Sequence, residues 1–149
     1  MTDRPKQITF TIPGEPQGKA RPRVTRTKTG RSLTYTPDKT VAYEELVRQR
    51  YIQAAEGQAF PKDQAVGVAI TAFFRIPQSK PKKWKQDAAE QRIRPMKKPD
   101  VDNICKIICD ALNSVAYHDD SQVVFVTVDK IFTEGEPRVE VSLSSYFDA

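Results

Sequence analysis

The sequence predicts a single α+β domain, a mixed β-sheet with helices packed on it. Three observations carry that expectation. Apolar residues alternate in some stretches and recur at helical spacing in others, in the order strand, helix, strand, short helix, helix, strand, strand. The 149 residues suit one domain with its own core, and no internal repeat or boundary divides 1–149. Hydrophobic residues make up 38% and charged residues 29%, the balance of a folded chain rather than a disordered one.

Ile8, Phe10 and Ile12 alternate over 7–12 and predict the first strand. Residues 17–37 follow as a long loop without helical or strand period. Thr36, Pro37 and Asp38 offer an N-cap to a helix over 39–55. Val41, Leu46 and Ile52, with Tyr43, Val47 and Tyr51, supply its apolar side, and Gly57 ends it. Residues 65–74 are apolar on both alternating faces, as in a central strand, and Pro77 stops them. Ser79 and Pro81 start a short helix with Lys82, Trp84 and Ala88, limited by Pro95. Ile104, Ile108, Ala111, Leu112 and Val115 form a helical stripe over 102–115. Strands over 121–132 and 138–143 join through a turn at Glu134 to Pro137.

The net charge of +5 hides a division along the chain. The loop 17–37 holds no acid, but carries Lys19, Arg21, Arg23, Arg26, Lys28 and Arg31. A second basic stretch, 75–98, includes Lys82, Lys83, Lys85, Lys97 and Lys98. After Pro99 carboxylates dominate, among them Asp100, Asp102, Asp110, Asp119 and Asp120. Basic segments suit phosphate contacts, and clustered carboxylates suit hard metal ions. Solvated charged faces are the plain alternative for either segment alone.

Several function classes are excluded. No apolar run reaches the roughly 18 residues of a membrane span. The polar N-terminus lacks a signal segment, so a cytoplasmic protein is expected. Cys105 and Cys109 are i,i+4 neighbours, which fits a disulfide poorly. With His118 the sole histidine, zinc lacks its usual tetrahedral set. Gly18 and Lys19 do not belong to a P-loop, so no nucleotide cofactor is expected.

Asp100 and Asp102 straddle a predicted helix start, where capping alone would explain one of them. Lys106 lies four residues from both Asp102 and Asp110 on one helix face. An exposed ion-pair ladder is the bland explanation. The chemical one places a lysine beside metal-holding carboxylates, within reach of a scissile phosphate. Asp119 and Asp120 supply a further acidic element, which in a dimer can meet the first across subunits. Phosphodiester hydrolysis needs a nucleophilic water and charge relief at the phosphate, and Mg²⁺ fixed by carboxylates supplies both. His118 suits a spacer or supporting role better than a general base.

The segments KPDVDNICK (98–106), CDAL (109–112) and DDSQV (119–123) resemble the RusA family of Holliday junction resolvases. The pattern is D-x-D-N-x-x-K, a helical D-A-L, and D-D-x-Q-V entering a strand. FTIPGEPQGKARPR (10–23) is similar to the opening of prophage-type members. The resemblance covers most of the chain. It implies a RusA-like fold and a homodimeric endodeoxyribonuclease that resolves four-way junction DNA by paired symmetric nicks, in recombination and repair. Mg²⁺ is the implied cofactor, with Mn²⁺ as a substitute. The family's essential aspartates fall on Asp100, Asp102 and Asp120, its lysine on Lys106, and Asp119 on a neighbouring acidic position. The long basic loop and the stretch 75–98 depart from shorter members. Two alternatives stay open on the sequence: a metal nuclease of broader branched- or duplex-DNA taste, and a non-catalytic junction-binding module.

Overall fold

Strand β1 (Gln7–Pro13) buries Ile8, Phe10 and Ile12, as the alternation predicts. A computed structural model describes residues 5–21, 23–35 and 37–146, with all their side chains except those of Arg23 and Tyr35. After β1 come a hairpin of β2 (Arg23–Arg26) and β3 (Ser32–Tyr35), then α1 (Asp38–Ala55) and β4 (Val66–Arg75). Next are α2 (Lys82–Ala89), α3 (Val101–Ala111), a 3₁₀ turn (Asp120–Gln122), β5 (Val123–Thr133) and β6 (Arg138–Ser145).

The main sheet has the order β1-β6-β4-β5. β6 runs antiparallel to both β1 and β4, while β4 and β5 are parallel. The sheet is therefore mixed, as expected, and β4 is a central strand. Its core face presents Val66, Val68, Ile70, Ala72 and Phe74, beside Val139, Val141 and Leu143 of β6. Tyr43, Val47, Tyr51 and Ala55 of α1 and Ile104, Ile107, Ile108 and Ala111 of α3 complete that core. Trp84 of α2 meets Phe132 edge-on at 5.4 Å. The opposite face of β4 is less covered than its apolar sequence suggests, with Ala69 exposed and Thr71 and Phe73 only half-buried. Among the described residues no helix is long and apolar enough to cross a membrane.

Four expectations change. The basic loop contains the β2–β3 hairpin, closed by Thr27 N–H to Arg31 O at 2.9 Å and by Gly30 at φ +85°. Both faces of this ribbon meet solvent, and Val24 and Leu33 are exposed. It therefore has no buried side to impose an alternating pattern. The start of the same loop, residues 17–20, is half-buried rather than exposed. On α1, Val41 and Ile52 are each 48% exposed. At about 100° per residue they lie roughly 160–180° round the helix from Tyr43, away from the core row. Finally, α3 ends at Ala111 instead of Val115, and Ser114 adopts φ +67°. The left-handed backbone at Ser114 cannot continue a right-handed helix. Thr36, expected in the α1 cap, lies outside the described residues, and Pro37 occupies the N-cap position.

Candidate functional site

Helix α3 is amphipathic, and its buried row of Ile104, Ile107, Ile108 and Ala111 fixes its rotation on the sheet. Asp102 and Lys106 are left exposed and Asp110 half-buried. Asp100 holds the N-cap position with extended backbone, yet its side chain makes no capping hydrogen bond. Among the described residues neither Asp100 nor Asp102 has a side-chain hydrogen bond or ion pair. Capping, the plain explanation for Asp100, is therefore not what its carboxylate does.

Asp100 and Asp102 line a cleft of about 380 Å³ with Gly18, Lys19, Ala20, Arg21, Lys98, Pro99 and Asn103. Two distant stretches thus meet around the two carboxylates. The contact is close: a Cβ on Gly18 would lie 2.6 Å from Asn103 Nδ2 and 2.9 Å from Pro99 Cβ. Lys19 Nζ reaches Asp110 Oδ2 at 2.8 Å and Glu44 Oε2 at 3.3 Å. Burial works against the Lys19 charge, but these carboxylates outweigh it and hold its pKa above the usual lysine value. Ala20 N–H donates to Thr40 Oγ1 at 3.2 Å, tying the same segment to α1.

Asp119 and Asp120 stand at the other end of α3. Asp119 is the N-cap of the 3₁₀ turn, its Oδ2 accepting from Ser121 N–H at 3.2 Å. Ser121, through its hydroxyl and then its backbone amide, holds the Asp119 carboxyl below its ordinary pKa, and His118 adds to this. Asp120 is exposed, with no side-chain partner among the described residues. It lies within electrostatic reach of Cys109 and Tyr117, whereas Asp102 acts on Cys105. Asp102 and Ala111 stand nine positions apart on α3, about 13.5 Å at 1.5 Å per residue. Among the described residues no three metal-ligating side chains come together. One chain therefore brings Asp100 and Asp102 together and keeps Asp119 and Asp120 apart from them. The donors remain hard oxygens of the type Mg²⁺ takes.

The two acidic motifs flank a single helix, the second opens a strand, and the N-terminal motif packs on the first. The profile described as Endodeoxyribonuclease RusA matches residues 13–144. The chain belongs to the RusA endodeoxyribonuclease family. The uncharacterised protein YqaN of Bacillus subtilis (strain 168) is 36% identical over 141 residues, covering 91% of this chain and 94% of that protein.

In this RusA-family chain the expected DNA contacts fall into four places. Lys19, Arg21 and Lys98 line the Asp100 cleft. Arg26, Lys28 and Arg31 are exposed on the hairpin, with Arg23 in its first strand. On α2, Lys83 pairs with Asp87 at 3.1 Å, while Lys82 and Lys85 border a second cleft with Arg75, Glu134 and Glu136. The Lys97 ammonium lies 5.6 Å from the Phe74 ring centroid.

Sequence reasoning missed Gln122. Its Oε1 accepts from His118 N–H at 2.8 Å and Asp119 N–H at 3.1 Å. Its Nε2 donates to Pro61 O at 2.9 Å and Gln64 O at 3.0 Å. Gln122 thereby staples the acidic turn to the loop before β4. The signal was available in DDSQV, as a glutamine three residues after a capping aspartate.

Proposed function

We propose that this chain is a Mg²⁺-dependent, homodimeric endonuclease that resolves four-way DNA junctions by paired symmetric nicks in recombination and repair. One observation carries the reading. Asp100 sits at a helix N-terminus without capping it, beside Asp102, in a cleft bordered by Lys19, Arg21 and Lys98. Carboxylates without structural partners among the described residues, next to cations that suit phosphate, fit metal-assisted phosphodiester hydrolysis.

Asp100, Asp102 and Asp120 are the proposed metal-holding residues, with Asp119 beside them. A bound divalent ion supplies a nucleophilic water and charge relief at the phosphate. Lys106, 63% exposed, contacts the scissile phosphate. Arg21, Arg23, Arg26, Lys28, Arg31 and Lys98 grip the DNA backbone, with Lys82, Lys83, Lys85 and Lys97 as further contacts. The hairpin has the two-stranded form that a major groove admits.

The separation of the acidic elements supports the dimer. In a two-fold pair, Asp100 and Asp102 of one copy meet Asp119 and Asp120 of the other. The edge strand β5 leaves Val124, Phe125 and Val126 exposed at 55%, 50% and 38%, directly after the acidic turn. An unpaired apolar edge invites a second chain. A second copy at that edge places one cleft on each side of a symmetric junction.

The test is cleavage of a fixed four-way junction and of its linear arms, with and without Mg²⁺, by wild type and Asp102→Asn. Symmetric, Mg²⁺-dependent nicks that Asp102→Asn abolishes support the proposal. Equal cutting of the linear arms replaces it with a nuclease of broader taste. Binding without any cutting replaces it with a junction-binding module. Sedimentation of Phe125→Glu tests the dimer, with a shift to monomer expected and an unchanged dimer refuting the β5 edge.

A further inference from the structure

Met96 is 96% exposed, the most exposed of the large apolar side chains described. A single exposed apolar residue is ordinary on a protein surface, so its setting decides what it means. The chain is fixed on both sides of it. Ile93 packs against the core, Pro95 is buried, and Pro99 lies against Gly18. Arg94 Nη1 donates to Lys130 O at 3.2 Å, and Lys130 Nζ donates to Lys97 O. Met96 therefore projects from a short anchored loop into solvent.

The same loop gathers cations without acids. Arg75, Lys83, Arg92 and Arg138 each pair with a carboxylate. Arg94, Lys97, Lys98 and Lys130 have no carboxylate partner among the described residues. The Lys97 and Lys130 ammonium groups lie 5.6 Å and 5.3 Å from the centroid of one ring, that of Phe74. Cations collected in this way suit phosphates. Lys98 also lines the Asp100 cleft. Met96 stands four residues before Asp100, a span of at most about 14 Å. That is about four steps along a DNA strand at roughly 3.4 Å each.

Linear duplex keeps its bases stacked and offers an apolar side chain nowhere to go. Where four arms meet, the stack is interrupted and base faces open. Methionine is among the side chains that act as wedges between base steps. We propose that Met96 is a wedge that enters the branch point of a four-way junction and rests on the base faces opened there, while the cations around it hold the flanking phosphates. This rests on the nuclease reading and deepens it: the wedge selects branched DNA, and the Asp100 cleft meets a strand within about four nucleotides of the branch.

The test measures binding in metal-free buffer, where nothing is cut. The probes are a fixed four-way junction carrying a fluorescent purine at the branch point, quenched while stacked, and a linear duplex of one arm. The variants are Met96→Ala, Met96→Leu and Lys97→Gln. Wild type should bind the junction more tightly than the duplex and brighten the purine. Met96→Ala should bind the junction about tenfold more weakly, the lower end for no longer burying a methionine side chain, with duplex affinity within about twofold. It should also lose the brightening, while its Tm stays within about 2 °C because the side chain is exposed. Met96→Leu, an apolar side chain of similar volume, should keep both junction affinity and brightening. Lys97→Gln should weaken junction and duplex alike and lower the salt slope by about one.

Met96→Ala that binds and brightens the junction like wild type overturns the inference. So does an equal loss on junction and duplex, the mark of an ordinary backbone contact. Met96→Leu as weak as Met96→Ala overturns the wedge, and an unchanged salt slope in Lys97→Gln overturns the phosphate role of the loop. Wild type that binds the junction no more tightly than the duplex overturns the junction reading and the inference together. Wild type that prefers the junction, with the same preference in Met96→Ala, overturns the inference alone.

Discussion

Replacing Gly18 by alanine sets a methyl group 2.6 Å from Asn103 Nδ2, 3.0 Å from Asn103 Cγ and 2.9 Å from Pro99 Cβ. Carbon atoms pack best at about 3.5–4.0 Å, so the 98–103 segment must retreat by roughly 0.6–1 Å. The Asn103 amide has some freedom to turn aside, whereas Pro99 is fixed by its ring and by the helix it leads into. Overpacking of this kind costs about 1–3 kcal/mol. Taking about 2 kcal/mol, a domain of this size loses about 6 °C in Tm. The retreating segment carries Asp100 and Asp102, and a misplacement of ~1 Å costs on the order of 10²-fold in rate. Gly18→Ala should therefore lose far more cutting than its modest destabilisation explains. The assays are a thermal melt and single-turnover cleavage at 25 °C or below, where the variant remains folded. The Gly18→Ala/Asn103→Ala pair removes two of the three contacts and should regain part of both losses. A Gly18→Ala variant that melts and cuts like wild type would refute the packing argument.

Three further outcomes follow from the acidic turn and the cysteine pair. Gln122→Ala removes four hydrogen bonds to backbone groups, at a cost of about 3 kcal/mol. Its Tm should fall by about 6–12 °C. Gln122→Glu should not restore it, because a carboxylate would face the carbonyls of Pro61 and Gln64; an unchanged melt in either variant contradicts this role. Because the Asp119 carboxyl is depressed in the folded chain, its cap contributes stability above the ordinary carboxylate range and loses it as pH falls through the lowered value. An NMR titration should place its midpoint below about 3.9, the reference for aspartate, and an ordinary midpoint would contradict the cap. The Cys105 and Cys109 sulfurs lie 3.9 Å apart, and the hydrogen bond they share brings the Cys105 thiol down to about 7. Alkylation should therefore favour Cys105 near neutral pH, and Cys109→Ala should slow it; equal labelling of both cysteines would contradict the shared proton.

The sheet, its mixed topology and α3 were legible because burial writes itself into sequence as period. Ile8, Phe10 and Ile12 alternate because β1 has one covered face, and Ile104 and Ile108 recur because α3 has one covered side. The β2–β3 ribbon has no covered face, so it left no period to read. Val41 and Ile52 misled in the opposite sense, as apolar residues on the solvent side of α1. The acidic motifs could be read because their chemistry is local and their spacing fixed. The partnership of Lys19 with Asp110 spans 91 residues, and no local pattern encodes a contact of that range. Gly18 against Asn103 is hidden for the same reason. Once that contact is known, glycine in one motif and asparagine in the other read as two halves of one joint.

The division of labour among the aspartates follows from what each neighbourhood asks of a carboxylate. Asp119 caps a turn, Asp87 pairs with Lys83, and Asp110 pairs with Lys19. Each such carboxylate has a partner within the chain. Asp100 had an equally ordinary role open to it, since an N-cap aspartate that bonds the helix amides is worth about 1 kcal/mol. It forgoes that bond and leaves the first amides of α3 without its help. Asp102 sits beside it in the first turn, adding a second negative charge to the same cleft. Two neighbouring carboxylates favour a cation between them. Lys19 is already engaged by Asp110 and Glu44. Beside Arg21 and Lys98, which line the same cleft, the two uncommitted carboxylates are the feature on which the proposed metal-assisted reading rests.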